Sequence, residues 1–271
     1  MTHANARLPT FFLNHGGGPW PWMDGPMRRG YDRLEASLQS VLPSLGDIMP
    51  KAILVVSAHW EEPVPHVSAH PQPPMLYDYF GFPEHTYHIR YAAPGSPELA
   101  ARISTLLRAG GLDCREDLER GFDHGTFSMM QPIRPQADLP IVQLSVLTSF
   151  DAAAHIAMGR LLEPLRDEGV LILGSGLSYH NLRAFGASGQ AASHAFDRWL
   201  RENLDGVGSA ERRNALEQWA EAPAAFQVHP RPEHLLPLMV VAGAAGESPC
   251  SVQFHQDDFF GGLAVTSFRF G

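Results

Sequence analysis

The sequence predicts an α/β fold: one domain over 1–271, with a central mixed β-sheet flanked by helices. Three observations predict it. Apolar β-type runs alternate with helical stretches along most of the chain. The 271 residues, 44% hydrophobic and 18% charged, are enough for a core of ordinary size. Several of the apolar runs lead into segments rich in Gly and His, and open α/β sheets bind ligands at strand carboxyl ends.

Each element has its own signal. Thr10-Phe11-Phe12-Leu13, within 9–14, and Ile53-Leu54-Val55-Val56, within 51–58, read as strands. Between them Tyr31, Leu34, Leu38, Val41 and Leu42 recur at helical spacing and predict a helix from Met27 to Leu45. Residues 63–95 carry seven prolines and many aromatics, which predicts a long functional loop with a few short strands. Ser96-Pro97 opens a helix through Leu107, and Gly110-Gly111 stops it. A buried strand at 139–147 precedes a helix from Asp151 to about Arg166, then a strand at 170–174. Helices are expected near 190–204, 209–221 and 233–245, and strands near 250–255 and 263–269. No internal repeat or linker divides the chain.

Composition excludes whole classes of partner. A net charge of -9 argues against nucleic acid and anionic membranes, which require a basic patch. No apolar run approaches the roughly 20 residues of a membrane span. The stretch Met1–Arg7 lacks the apolar core of a secretory signal. The two cysteines, Cys114 and Cys250, cannot build a disulfide framework or a Cys-rich zinc site. A cytoplasmic protein is expected, with a homodimer as the default assembly.

The chain holds 14 histidines, and neutral imidazole is the commonest side-chain metal ligand. His15 (Asn14-His15-Gly16-Gly17-Gly18-Pro19), His59 (Ser57-Ala58-His59-Trp60) and His180 (Gly174-Ser175-Gly176 to Tyr179-His180-Asn181) each follow an apolar run closely. Convergence of these three from distant parts of the chain would make a metalloenzyme. Singly, each has a plainer reading: a tight turn or phosphate-binding turn at His15, a hydrogen-bonded strand-end residue at His59. No Gly-Lys-Ser/Thr follows the glycines, so this is not a Walker A loop. Gly174-Ser175-Gly176 lacks the Gly-x-Ser-x-Gly elbow, which disfavours a serine hydrolase. In Asp123-His124-Gly125-Thr126, Asp123 is placed to orient an acid–base His124, or the four form a simple turn. His234 opens an apolar helix, so its ring can point inward. His229 is expected in an outer shell or on the surface.

Six motifs in this order carry a resemblance: Asn-His-Gly-Gly-Gly-Pro, Ser-Ala-His-Trp, Asp-Tyr-Phe-Gly-Phe-Pro, Asp-His-Gly-Thr, Gly-Ser-Gly…His-Asn-Leu and Pro-Glu-His-Leu-Leu-Pro-Leu. The chain resembles, over roughly 9 to 270, the DOPA-dioxygenase branch of the LigB-type (class III) extradiol ring-cleavage dioxygenases. The resemblance implies a non-haem Fe(II), sometimes isolated as Zn(II), held by His15, His59 and His234. It implies His180 beside the metal, as base or fourth ligand, and His124 at a second acid–base position. The implied substrates are O2 and a small aromatic dihydroxy compound, a catechol of the DOPA type. Protocatechuate-type relatives use a glutamate as third ligand; here His234 takes that place, with Glu233 beside it. An all-histidine set favours zinc on purification. Aromatics of the 77–91 loop (Tyr77, Phe80, Phe82, Tyr87) are expected to wall the ring pocket. The rival readings are a zinc hydrolase on the same ligands and a non-enzymatic Memo-like binding protein.

Overall fold

Eight strands form one mixed sheet in a computed structural model that describes residues 7–271. The stretch Met1–Ala6, most of the segment read for a secretory signal, lies outside the described residues. The strands are β1 (Thr10–Asn14), β2 (Ala52–Glu62), β3 (His66–Ser68), β4 (Arg115–Asp117), β5 (Ile141–Leu147), β6 (Val170–Gly176), β7 (Cys250–Phe259) and β8 (Leu263–Phe270). Their order across the sheet is β4-β3-β5-β2-β6-β1-β8-β7. The inner strands β5, β2, β6 and β1 run parallel, whereas β8 joins β1 antiparallel and pairs with β7.

Every residue of β1, β5 and β6 is buried, which requires cover on both faces of the sheet. The helices are α1 (Gly25–Arg29), α2 (Asp32–Gln39), α3 (Pro97–Ala109), α4 (His124–Ile133), α5 (Ala152–Leu162), α6 (Gln190–Leu204), α7 (Ser209–Glu217), α8 (Ala225–Val228) and α9 (Leu236–Ala245), and α4 and α9 lie directly on the inner strands. Helix α9 is apolar all round and packs on α5, β6 and β1. Among the described residues no helix is long and apolar enough to cross a membrane.

Several expected boundaries shift for local reasons. The helix expected over Met27–Leu45 breaks at Gly30 into α1 and α2 and ends in a 3-10 turn opened by Pro43. The Asp151 helix ends at Leu162, where Pro164 tightens the chain into another 3-10 turn. The 209–221 helix stops at Glu217. Helix α4 has no clear signal in the sequence. Asp123 caps it by accepting from the Thr126 N–H at 3.0 Å, while Gly125 and Pro132 obscure its pattern. Strand β2 does not stop at Ser57–Ala58 but runs on to Glu62.

Candidate metal centre

Strand register sets the site. Asn14 pairs with Gly176 and Ser57 with Ser175, so His15 and His59 both stand one residue beyond the level of Gly176, the last residue of β6. The register of β2 on β5 jumps from Ser57/Ser145 to Glu61/Val146, leaving Ala58, His59 and Trp60 without partners on β5. His59 is therefore carried on a bulge inside a longer strand, not at a strand end. Bulges re-aim side chains in this way. Arg120 takes up the His59 carbonyl at 3.0 Å and lies over the Trp60 ring.

Glycine brings in the third partner. A Cβ on Gly176 would stand 2.2 Å from the His234 carbonyl oxygen, which instead accepts from the Leu177 N–H at 3.1 Å. The segment before α9 thus lies directly against the end of β6. Gly16, at φ +81°, turns the chain away after His15, and the Trp20 indole N–H donates to the His15 carbonyl at 2.7 Å.

Five imidazoles meet here. His59 Nε2 lies 3.3 Å from His15 Nε2 and 3.2 Å from His234 Nε2. The His124 ring is 4.0 Å from that of His59, and the His180 ring stacks on that of His234 at 3.4 Å. Donor atoms in the groups His15–His59–His124 and His180–Glu233–His234 stay within 4.8 Å of one another. His15, His59 and His234 are held well below the usual imidazole pKa, first by burial and then by the neighbouring rings. They are neutral at pH 7.

Two carboxylates lie behind the rings. Asp78 Oδ1 is 2.8 Å from His124 Nδ1, and its Oδ2 is 3.5 Å from His59 Nδ1. Glu233 Oε1 is 3.0 Å from His234 Nδ1 and 3.1 Å from His180 Nδ1. A neutral imidazole that donates from Nδ1 turns its Nε2 lone pair outward, the tautomer a metal requires. Burial pushes the Asp78 carboxyl up, but its hydrogen bonds and charge pairing with His124 prevail and hold it below the ordinary value.

The residues fit a divalent ion. Facing lone pairs on neutral imidazoles repel unless a cation or proton lies between them. Two nitrogens bound at about 2.1 Å to one ion sit roughly 3.0–3.4 Å apart for bond angles between right-angled and tetrahedral. The observed 3.2 and 3.3 Å fall in that range. His15 Nδ1 and Glu233 Oε2 are buried without a hydrogen-bond partner.

Asp123 stands elsewhere than its sequence neighbourhood suggests, and His229 and Ser175 have structural places. Asp123 does not orient His124: it is spent on the Ser57 hydroxyl at 2.9 Å, Arg120 at 3.0 Å and the α4 cap. Asp78 does the orienting, and the Asp-Tyr-Phe-Gly-Phe-Pro motif that it opens is the signal for it in the sequence. His229 is fully buried and lies 3.1 Å from the Ser178 carbonyl, with burial lowering its pKa to about 3. Ser175 donates to the Gly125 carbonyl at 2.6 Å and serves structure.

A cavity of about 380 Å³ opens in front of the rings. Phe80 and Phe82 line it as expected; Tyr77 and Tyr87 do not, and face a separate groove beside Arg90. Tyr79, from the same loop motif, and Tyr179, beside His180, also line it, as do Tyr31, Phe185 and Phe259, which nothing in their own sequence context marks for that place.

Fold and site together define an α/β protein with a buried, all-imidazole candidate metal centre facing an aromatic cavity. Residues 9–262 match the family described as the catalytic LigB subunit of aromatic ring-opening dioxygenase, and the chain belongs to that family. It is an extradiol ring-cleaving dioxygenase by class. The 4,5-DOPA dioxygenase extradiol of Beta vulgaris is 39% identical, with 96% of each chain covered. The protein of that name from Escherichia coli K12 is 35% identical over 99% of this chain and 96% of its own. Dioxygenase tasH of Hapsidospora irregularis is 39% identical over 95% of this chain and 85% of its own. A crystal structure of an uncharacterised Escherichia coli K12 protein superposes with a TM-score of 0.77 at 33% identity, covering 98% of this chain and all of that one.

Proposed function

We propose that His15, His59 and His234 hold one divalent ion, Fe(II) in function and Zn(II) as an occupant on isolation, at which a catechol ring is opened by O2. The contact of three Nε2 atoms in front of a ring-sized cavity carries this reading. Overall, the C–C bond beside the diol is exchanged for two C–O bonds, and both atoms of O2 stay in the product. When bound, the ion supplies Lewis acidity toward the two hydroxyls and a route for electrons to O2.

The chain's own residues do the rest. His180, tied at Nδ1 to Glu233, presents Nε2 to the cavity and takes a proton from a catechol hydroxyl. It is assigned as base rather than fourth ligand because its ring stacks beside His234 instead of joining the Nε2 contact. His124, fixed by Asp78, holds or returns a proton on the opposite side. The apolar walls keep bulk water from the reacting ring. Cys114 and Cys250, both buried free thiols, fit a reducing cytoplasm. A homodimer is the proposed assembly, and light scattering tests it.

The decisive test is anaerobic loading with Fe(II), followed by oxygen uptake across a catechol panel that includes DOPA. Ring cleavage with iron and no ester or amide hydrolysis with zinc is the expected result. Hydrolysis under zinc without oxygen uptake would overturn it.

A further inference from the structure

The cavity before the imidazoles has an unusual chemical balance. Its outer walls come from Met27, Phe80, Phe82, Leu182, Phe185 and Phe259. Among the described residues no Lys, Arg, Asp or Glu lines it. Two of its three tyrosine hydroxyls donate elsewhere, Tyr79 to the Thr86 carbonyl at 2.5 Å and Tyr179 to the Ala184 carbonyl at 2.8 Å, while the uncharged Tyr31 hydroxyl is bonded to the Gly17 backbone. Asp78 and Glu233 sit behind the rings and are spent on them. Nearby arginines are also engaged. Arg28 pairs with Asp32 and Glu35, Arg120 with Asp123, and Arg231 with Glu61. Arg183, next to Leu182, projects into solvent and is not part of the wall.

From this we infer that the site selects catechols whose ring substituent is uncharged and apolar, rather than one bearing an amino-acid side chain. The inference rests on the catechol-cleavage reading above. A substituent with both a carboxylate and an ammonium would meet no oppositely charged side chain on this wall and would give up part of its hydration to lie against apolar groups. An alkyl or aryl group instead meets Phe80, Leu182 and Phe185, which are 89%, 69% and 40% exposed in the protein alone. Such side chains gain most from being covered. Each methylene buried there improves binding about fourfold.

The test uses the Fe(II)-loaded enzyme with catechol, 4-propylcatechol and L-DOPA. Dissociation constants come from anaerobic titration and kcat/KM from oxygen uptake. 4-Propylcatechol should bind tightest and exceed L-DOPA in kcat/KM on the order of tenfold or more. L-DOPA equal to or better than 4-propylcatechol in both measurements would overturn the inference while leaving ring cleavage intact. Failure of all three to bind and react would instead remove the reading beneath it. Phe80→Ala, at a solvent-exposed position, should reduce the preference for 4-propylcatechol over catechol at least about threefold through KM. Leu182→Arg should raise kcat/KM for L-DOPA. An unchanged preference in both variants would count against the apolar wall as the selecting surface.

Discussion

Asp78 grips His124 twice with a single oxygen: Oδ1 lies 2.8 Å from the ring Nδ1 and accepts the backbone N–H at 3.0 Å. The ring and main chain of His124 are thus fixed by a residue 46 positions away. Asp78→Asn keeps the shape and removes the charge. It should lower kcat about 10–100-fold, the usual cost of losing a carboxylate behind a functional imidazole. Steady-state kinetics beside metal titration check this, and the fall in kcat should exceed the fall in metal affinity.

On the proposed reading, the Nε2 contact separates ligands from proton carriers. His15→Ala, His59→Ala and His234→Ala should each lose stoichiometric metal. His124→Ala should keep it and lose roughly 100-fold or more in turnover. Metal content by elemental analysis decides, and full occupancy in the first three variants would remove the ligand assignment.

Gly176 is predicted to be intolerant of a side chain. Gly176→Ala places a methyl 2.2 Å from the His234 carbonyl oxygen, on backbone that cannot swing aside. A loss of about 1–3 kcal/mol is expected, with weakened metal affinity because the His234 segment must retreat. Chemical denaturation and metal titration of the one variant read both effects.

Acid should unfold the metal-free protein early. Burial, and then neighbouring rings, hold His15, His59 and His234 well below 6.5 in the folded state. The unfolded chain therefore binds more protons once pH falls below its own histidine pKa of about 6.5. Stability is fully present above that pH and is lost as pH falls toward the folded values. Three such groups give a slope approaching roughly 4 kcal/mol per pH unit. Urea unfolding at stepped pH measures it, and a flat profile from neutral to mildly acid pH would contradict the buried neutral trio.

The sequence announces some of this and conceals the rest for physical reasons. Runs such as Ile53–Val56 and Val170–Leu173 are apolar throughout, which marks interior parallel strands. Strand β4 is Arg115-Glu116-Asp117, so nothing in its own residues favours a strand, and its pairing with β3 at the sheet edge creates it. The strand expected over 51–58 runs on to Glu62, because a bulge lets the polar Glu61 and Glu62 rejoin β5 after the apolar run has ended. His15 is visible because a strand end implies where its side chain points; His59, on a bulge, and His234, ahead of α9, are visible through the motifs around them. The motif that holds Asp78 is visible, but the grip of Asp78 on His124 and that of Glu233 on His180 are not, because they depend on contacts between remote segments. Asp123 misleads for the opposite reason: adjacency in sequence to His124 suggests a contact that the helix cap consumes.

The three facing nitrogens belong to residues 15, 59 and 234. A ribosome must release the chain past residue 234 before the last of them can reach the other two. On the proposed reading, ion capture waits for the segment that leads into α9, and a chain clipped before His234 would keep two of the three donors.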